Sequence, residues 1–219
     1  TMLKQVEQLT DNTRRDTFDP NPVLQALNMA QGKTPFADQL PARMDPFGRP
    51  MENYQGGTNS LLNVMLNPAF MAKYRPTPES KMVVDLYRST SDARVVPIVV
   101  ETKFKWNGIP YEMNAKQRNV MQKWLGERTQ KTFAALAASP GFQQMPDEGK
   151  VKLLTEYLTK LRGAARASIF LYEVNQRPLV QRPAFMAEAF RKNKLSPDQI
   201  KGVFRDMAMF QVFNQGGTQ

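Results

Sequence analysis

The residues of this chain that can do chemistry are its carboxylates, hydroxyls and basic side chains, because it has no histidine and no cysteine. That removes the side chain that titrates near neutral pH, the thiol nucleophile and the soft metal ligands together. No zinc-protease, Ser-His-Asp or Cys-His arrangement is available. Neither the dinucleotide glycine fingerprint nor the P-loop occurs, and Gly56-Gly57-Thr58 is an isolated turn signal. One carboxylate pair has a defined geometry. Glu101 and Glu112 flank a hairpin and fall near opposite each other in its ladder. Two carboxylates on a rigid cleft are what a glycosidase needs. The competing reading pairs each with Lys103 or Lys105, and it is the one adopted. A second cluster, Lys160, Arg162 and Arg166, surrounds Gly163-Ala164-Ala165, which is slim enough for a phosphate or another backbone to approach. It reads either as a contact with DNA or an acidic partner, or as cations placed toward a helix C-terminus. Arg14-Arg15, Arg191-Lys192 and Lys194 read as solvated charges. The sequence thus predicts no catalytic residue, no cofactor, no metal and no small-molecule substrate.

Composition fits an adhesive chain. Lys+Arg exceeds Asp+Glu by 30 to 20 over 219 residues, for a net charge of +10 and a pI near 9.9. Such a balance suits nucleic acid or anionic lipid, through counterion release. Sixteen prolines gather between Pro35 and Pro78 and between Pro178 and Pro183, which predicts long irregular segments there. No apolar run reaches the ~18 residues of a membrane span. Without cysteine there is no disulfide framework, and the redox compartment stays open. The start, Thr1-Met2-Leu3-Lys4, has no apolar leader; Leu3, Val6 and Leu9 read as a helix entered from upstream, the visible part of something longer.

The elements that must position these residues are mostly helical. After the short helix over 2–9, Pro22 opens another, with Val23, Leu24, Leu27 and Met29 on its apolar side and Gly32 at its end. Residues 35–60 hold no sustained period, yet Phe36, Leu40, Met44, Phe47, Met51 and Tyr54 place a large side chain about every four positions. That predicts an extended strap docked on another surface, since linkers are poor in Phe and Met. Short helices are expected over 61–66 and 69–74, and a longer one over 78–89 with Met82, Val83, Leu86 and Tyr87 facing inward. Val95 to Val100 reads as an edge strand interrupted by Pro97. Lys103 to Trp106, a type I′ Asn107-Gly108 turn and Ile109 to Met113 form a hairpin. A helix capped by Asn114 runs to about Ala138, with Val120/Trp124 and Met121/Leu125 as i,i+4 pairs followed by Phe133, Leu136 and Ala137. Pro146-Asp147-Glu148 starts another, to about Tyr172, whose Val151, Leu154, Leu158, Leu161, Ala165, Ser168 and Tyr172 make a coiled-coil-like seam. Pro183 to Phe190 is a short helix, and Ser196 to Gln199 is a capping box before the last one. That last helix is apolar on too many sides for a free end; it is buried in the domain, inserted in a partner groove or laid on a membrane surface.

The fold class expected is mainly α with a small β-hairpin, a long antiparallel helical hairpin and extended Pro-rich straps. The organisation expected is an N-terminal helical arm over 1–34, an extended Pro/Met/Phe strap over 35–78, a core of helix, β-hairpin and helical hairpin over 79–176, and a C-terminal helical arm over 177–219.

Leu40-Pro41-Ala42-Arg43-Met44-Asp45-Pro46-Phe47-Gly48-Arg49-Pro50 resembles an "LP-x-x-x-D-x-F-G-R" box found near the ends of very large bacteriophage proteins. These are the giant polyvalent and internal virion (ejection) proteins of tailed phages. Asn67-Pro68, Leu86, Ser139-Pro140, Phe142, Pro146-Asp147, Lys150 and Ala164-Ala165-Arg166 extend the resemblance to residues 40–170. The tail after Ala184 matches no such pattern. The resemblance implies a structural virion component, not an enzyme, that is packaged with the genome and takes part in its delivery. It would lie in the virion interior or tail, and in the host cell envelope after ejection. Its implied partners are the portal, the tail, other ejection proteins and further copies of itself, with contact to DNA and to the host-envelope membrane. The contacts expected are Asp45, Phe47, Gly48, Arg49, Asn67 and Pro68 of the strap and Phe204, Met207 and Phe210 of the last helix. The alternative is a basic DNA-binding module of a phage or bacterial nucleoprotein assembly, using Lys160, Arg162 and Arg166.

Overall fold

The computed structural model of the chain describes residues 13–34, 36–53, 72–73, 77–97 and 99–215. Over them the chain is mainly α-helical with one small antiparallel β-hairpin. The helices expected over 2–9 and 61–66, and Asn67 and Pro68, lie outside the described residues. The chain packs as two compact units, each drawn from separated stretches: residues 1–102 with 113–155, and residues 103–112 with 156–219.

In the first unit, helix α1 (Pro22–Gln31) starts where the Asn21 side chain accepts the Val23 N–H at 2.9 Å, with proline in its first turn. The strap that follows makes a 3₁₀ turn at Ala37–Gln39 and then runs extended. Residues 14–16 lie antiparallel to 41–43: Arg43 N–H donates to Arg14 O at 2.7 Å and Asp16 N–H to Pro41 O at 2.9 Å. Strand β1 (Glu52–Asn53) pairs with β2 (Ala72–Lys73), where local spacing predicted a helical turn; a distant partner overrides the local preference. Helix α2 (Pro78–Thr90) opens on a Thr77–Ser80 capping box and buries Val83, Val84 and Leu86. The edge strand expected over 95–100 does not form. Ala93–Val95 is a 3₁₀ turn, Pro97 has no N–H to offer a ladder, and the Val100 N–H donates to Gln122 Oε1 at 2.6 Å.

Helix α3 (Ala115–Ala138) begins on the predicted Asn114 cap, closed by Gln117. Its inner face holds Met121, Leu125, Thr129 and Phe133, while Val120 is exposed. Trp124 instead sits under the Arg128 guanidinium at 4.1 Å. Helix α4 (Pro140–Gln143) brings Phe142 into this core. Helix α5 (Asp147–Asn175) begins in the first unit and continues in the second.

The second unit is built on the hairpin of β3 (Lys103–Trp106) and β4 (Ile109–Glu112). Asn107 and Gly108 both have positive φ, 45° and 89°, as the type I′ turn requires. The alternation turns Phe104 and Trp106 inward. Along α5 the predicted seam holds through Val151, Leu154, Leu158, Leu161 and Ala165. It then leaves the Ser168 and Tyr172 track: Ala167, Phe170 and Val174 are buried and Tyr172 is 67% exposed. A straight helix drifts about 20° per heptad against a strict seven-residue repeat. Phe170 also finds a local target, with Trp106 at 5.7 Å, Phe190 at 6.1 Å and Phe185 at 6.2 Å between ring centroids. Helix α6 (Arg182–Lys192) supplies the last two rings. Helix α7 (Pro197–Gln215) starts on the predicted Ser196–Gln199 box.

A buried carboxylate joins hairpin to helix in this unit. Asp206 Oδ2 accepts the Trp106 indole N–H at 2.8 Å and the Asn107 amide at 3.1 Å. Two glycines make room for it. A Cβ on Gly163 would stand 2.9 Å from the Asp206 carboxylate, and one on Gly202 would stand 2.5 Å from Asn107 Oδ1. Asp206→Ala would leave the indole N–H buried without its acceptor and is expected to cost about 3 kcal/mol in urea unfolding. Trp106→Phe removes the same bond together with part of a buried ring, so the double variant is expected to cost less than the sum of the two single losses. Strict additivity would show that Asp206 does not act through that bond.

Candidate functional site

The Asp45–Arg49 stretch of the strap folds into one tight turn seated on α3. Asp45 Oδ1 accepts the backbone N–H groups of Phe47 and Arg49, each at 2.9 Å. Its Oδ2 takes the Arg49 fork, Nε at 2.9 Å and Nη2 at 2.8 Å. Gly48 N–H donates to Asp45 O at 3.0 Å, closing the turn with Gly48 at φ 74°, a region that favours glycine. Phe47 is fully buried, and the Arg49 guanidinium lies 5.3 Å from its ring centroid. The turn rests on a glycine of α3. A Cβ on Gly126 would stand 2.0 Å from Gly48 N and 2.2 Å from Phe47 C. Gln122, one helical turn earlier, donates to Pro46 O at 3.3 Å and accepts from Val100 N. The strap therefore docks on its own unit, where the sequence expected Asp45, Phe47, Gly48 and Arg49 to meet a partner. Gly126 and Gln122 escaped the sequence reading. The available signal was a lone glycine inside a long helical pattern, which needs a packing reason.

The other nominated residues fall in the second unit. Phe204 is exposed on one side and meets Phe190 edge-on at 6.0 Å, while Met207 and Phe210 are half-buried beside the buried Val203. Lys160 is exposed. Arg166 stacks over the Phe104 ring at 5.0 Å, and the Arg162 guanidinium is pulled below its ordinary value by burial and then by Arg166. The slim stretch beside them is filled from within: Asp206 occupies Gly163, and Ala164 and Ala165 are buried. Glu112 stands opposite Lys103 and pairs with it at 2.9 Å, which is the reading adopted for that carboxylate; Glu101 precedes the ladder.

The second unit also carries a cleft of about 780 Å³ lined by Tyr111, Phe170, Glu173, Arg177, Phe185 and Glu188, among others. The Tyr111 hydroxyl is buried and has no hydrogen-bond partner among the described residues. Burial, and then the Glu173 charge, push its ionisation well above the usual tyrosine value. Burial also raises Glu173, against the pull of Arg177. Arg177 is held over Phe185 at 5.1 Å. The cleft thus offers a neutral phenol and a stacked cation, which suits holding a group more than transferring a proton. Among the described residues no acidic cluster converges as a metal site, and no helix is long and apolar enough to cross a membrane.

No family model, curated protein or solved structure matches the chain.

Two substitutions separate the packed turn from the open cleft. Gly126→Ala would drive a methyl into the Phe47–Gly48 backbone and is expected to destabilise the chain by about 3 kcal/mol or more in urea unfolding. Tyr111→Phe removes a hydroxyl that has no partner among the described residues, so it is expected to change stability by less than about 0.5 kcal/mol or to raise it.

Proposed function

We propose that the chain is a structural segment of a tailed-phage internal virion (ejection) protein. In this reading it docks on portal, tail or sister subunits, takes part in genome delivery and catalyses nothing. Its likeness to those proteins rests on the D-x-F-G-R box. Support for the likeness is that each letter of the box has a geometric task in the Asp45–Arg49 turn, so the motif specifies a fold element and not a composition.

The observation that carries the adhesive role is α1. No residue of this ten-residue helix is buried, and Val23, Leu24, Leu27 and Met29 all face solvent, Leu27 at 59% exposure. A helix this short is marginal in water unless an apolar face is covered. A sister copy suits the face best. The helix, PVLQALNMAQ, carries no ionisable side chain, whereas the other described helices of eight or more residues all do. In a chain of net charge +10, copies meet without repulsion on such a surface.

The test is position in the particle. Purified virions of the phage that encodes the chain are cross-linked through Lys33, exposed just after α1, and the products identified by mass spectrometry. Expected are cross-links to sister copies together with links elsewhere in the chain to portal or tail protein. Leu27→Glu is expected to weaken self-association by about 2 kcal/mol, roughly thirty-fold. A chain made during infection and missing from the particles would overturn the reading.

A further inference from the structure

The antiparallel pairing of residues 14–16 with 41–43 has a consequence for charge. The bridge joins Arg15 to Ala42, so Arg14 stands directly opposite Arg43. Directly opposed residues share a face of the pair, with Cβ atoms about 5 Å apart. Arg15 points to the other face, where its Nη1 donates to Leu40 O at 3.0 Å. Asp16, two positions from Arg14, returns to the first face. There it forms a buried ion pair with Arg118 of α3, Asp16 being 5% and Arg118 14% exposed. Three guanidiniums therefore gather around one carboxylate.

This arrangement is electrostatically incomplete. Among the described residues Asp16 answers one cation, and two positive charges remain in excess on a half-buried face. Like charges directly opposite on a strand pair are destabilising, and partial burial strengthens the repulsion. Arg43 registers it: burial first, then Arg14 and Arg118, pull its guanidinium below the ordinary value, and Asp16 opposes them as the smallest influence. Arg14 Nη1 is buried and has no acceptor among the described residues. A charged donor in that position calls for an anionic oxygen.

We propose that Arg14, Arg43 and Arg118 form a binding site for a phosphate group, with Asp16 fixing the third guanidinium at its edge. Arginine is the residue this task needs, because its planar fork donates two parallel hydrogen bonds to a phosphate and stays charged when partly buried. The excess of two charges matches a phosphate better than a single carboxylate. The group is supplied either by free phosphate or by the phosphodiester backbone of a nucleic acid. The site belongs to the first unit, whereas Lys160, Arg162 and Arg166 belong to the second, and it does not depend on the assembly reading.

The test uses the full chain and inorganic phosphate, compared with chloride at equal pH and ionic strength. Calorimetric titration is expected to show saturable binding of one phosphate per chain. At tenfold excess over Kd the melting temperature is expected to rise by about 3–5 °C. Arg43→Gln abolishes both effects, and in chloride it melts no lower than the parent because a repulsion is gone. Arg14→Gln is the second variant and behaves alike; Lys33→Gln, outside the cluster, keeps both effects. A phosphate response that is absent in the parent, or retained in both arginine variants, overturns the proposal. A short oligothymidylate separates the sources. Competition with phosphate, lost in Arg43→Gln, sustains the site with a nucleic-acid backbone as ligand. Phosphate binding with an oligonucleotide indifferent to Arg43→Gln sustains it with the free ion.

Discussion

The contact on which the first unit depends is backbone on backbone. At Gly126 the α3 helix has no side chain, and the Phe47–Gly48 peptide lies in the space a Cβ would take. A proline-rich strap pairs only part of its backbone in a ladder, so the shape of its turn has to come from elsewhere. Here it comes from Asp45, whose carboxylate gathers two backbone N–H groups and one guanidinium into a single turn. That turn then delivers Phe47 into the core with no exposed surface. Losing the glycine would lift the turn from its seat, and losing Asp45 would leave the turn without its centre.

Polar side chains perform the same service wherever regular structure ends. Gln122 is buried and joins Pro46 of the strap to Val100 of the irregular segment before the hairpin. Asp206 holds the indole of Trp106 and the amide of Asn107, at the point where a two-stranded sheet would otherwise be too small to persist. A two-stranded hairpin and a strap are both deficient in internal hydrogen bonds. In each case one buried polar side chain on a helix makes up the deficit.

What the residues disclosed in advance follows from range. The Asn107-Gly108 turn, the Asn114–Gln117 cap and the Ser196–Gln199 cap are interactions among neighbours, and each forms as its spacing predicts. The strand expected over 95–100 failed because the Val100 N–H was claimed by Gln122, 22 positions away. The strap was recognisable by its large side chains, but its target was not, because the seat is a residue that has no side chain. The inward face of α5 was legible as far as Ala165; past it, the aromatic cluster around Phe170 and not the repeat decides what is covered. For the candidate site the pattern is the same. The D-x-F-G-R letters could be read, whereas Arg14 and Arg43 become neighbours only through strand register.

The distribution of charge follows from these structural uses. Four carboxylates are buried among the described residues, and three of them, Asp16, Asp45 and Asp206, accept from backbone, indole, amide or guanidinium donors at irregular joints. Each such carboxylate is withdrawn from the surface. At Asp45 the local balance closes, because one fork meets one carboxylate. At Asp206 it nearly closes, with Arg205 donating at 3.1 Å. Around Asp16 it does not, because strand register adds two guanidiniums that the ion pair with Arg118 cannot answer. A chain that holds no titrating switch near neutral pH cannot relieve that excess by releasing a proton. Among the described residues no further carboxylate answers it, and that makes the 14–43 pairing, more than the clefts or the apolar faces, the part of the described fold that calls for a counter-charge.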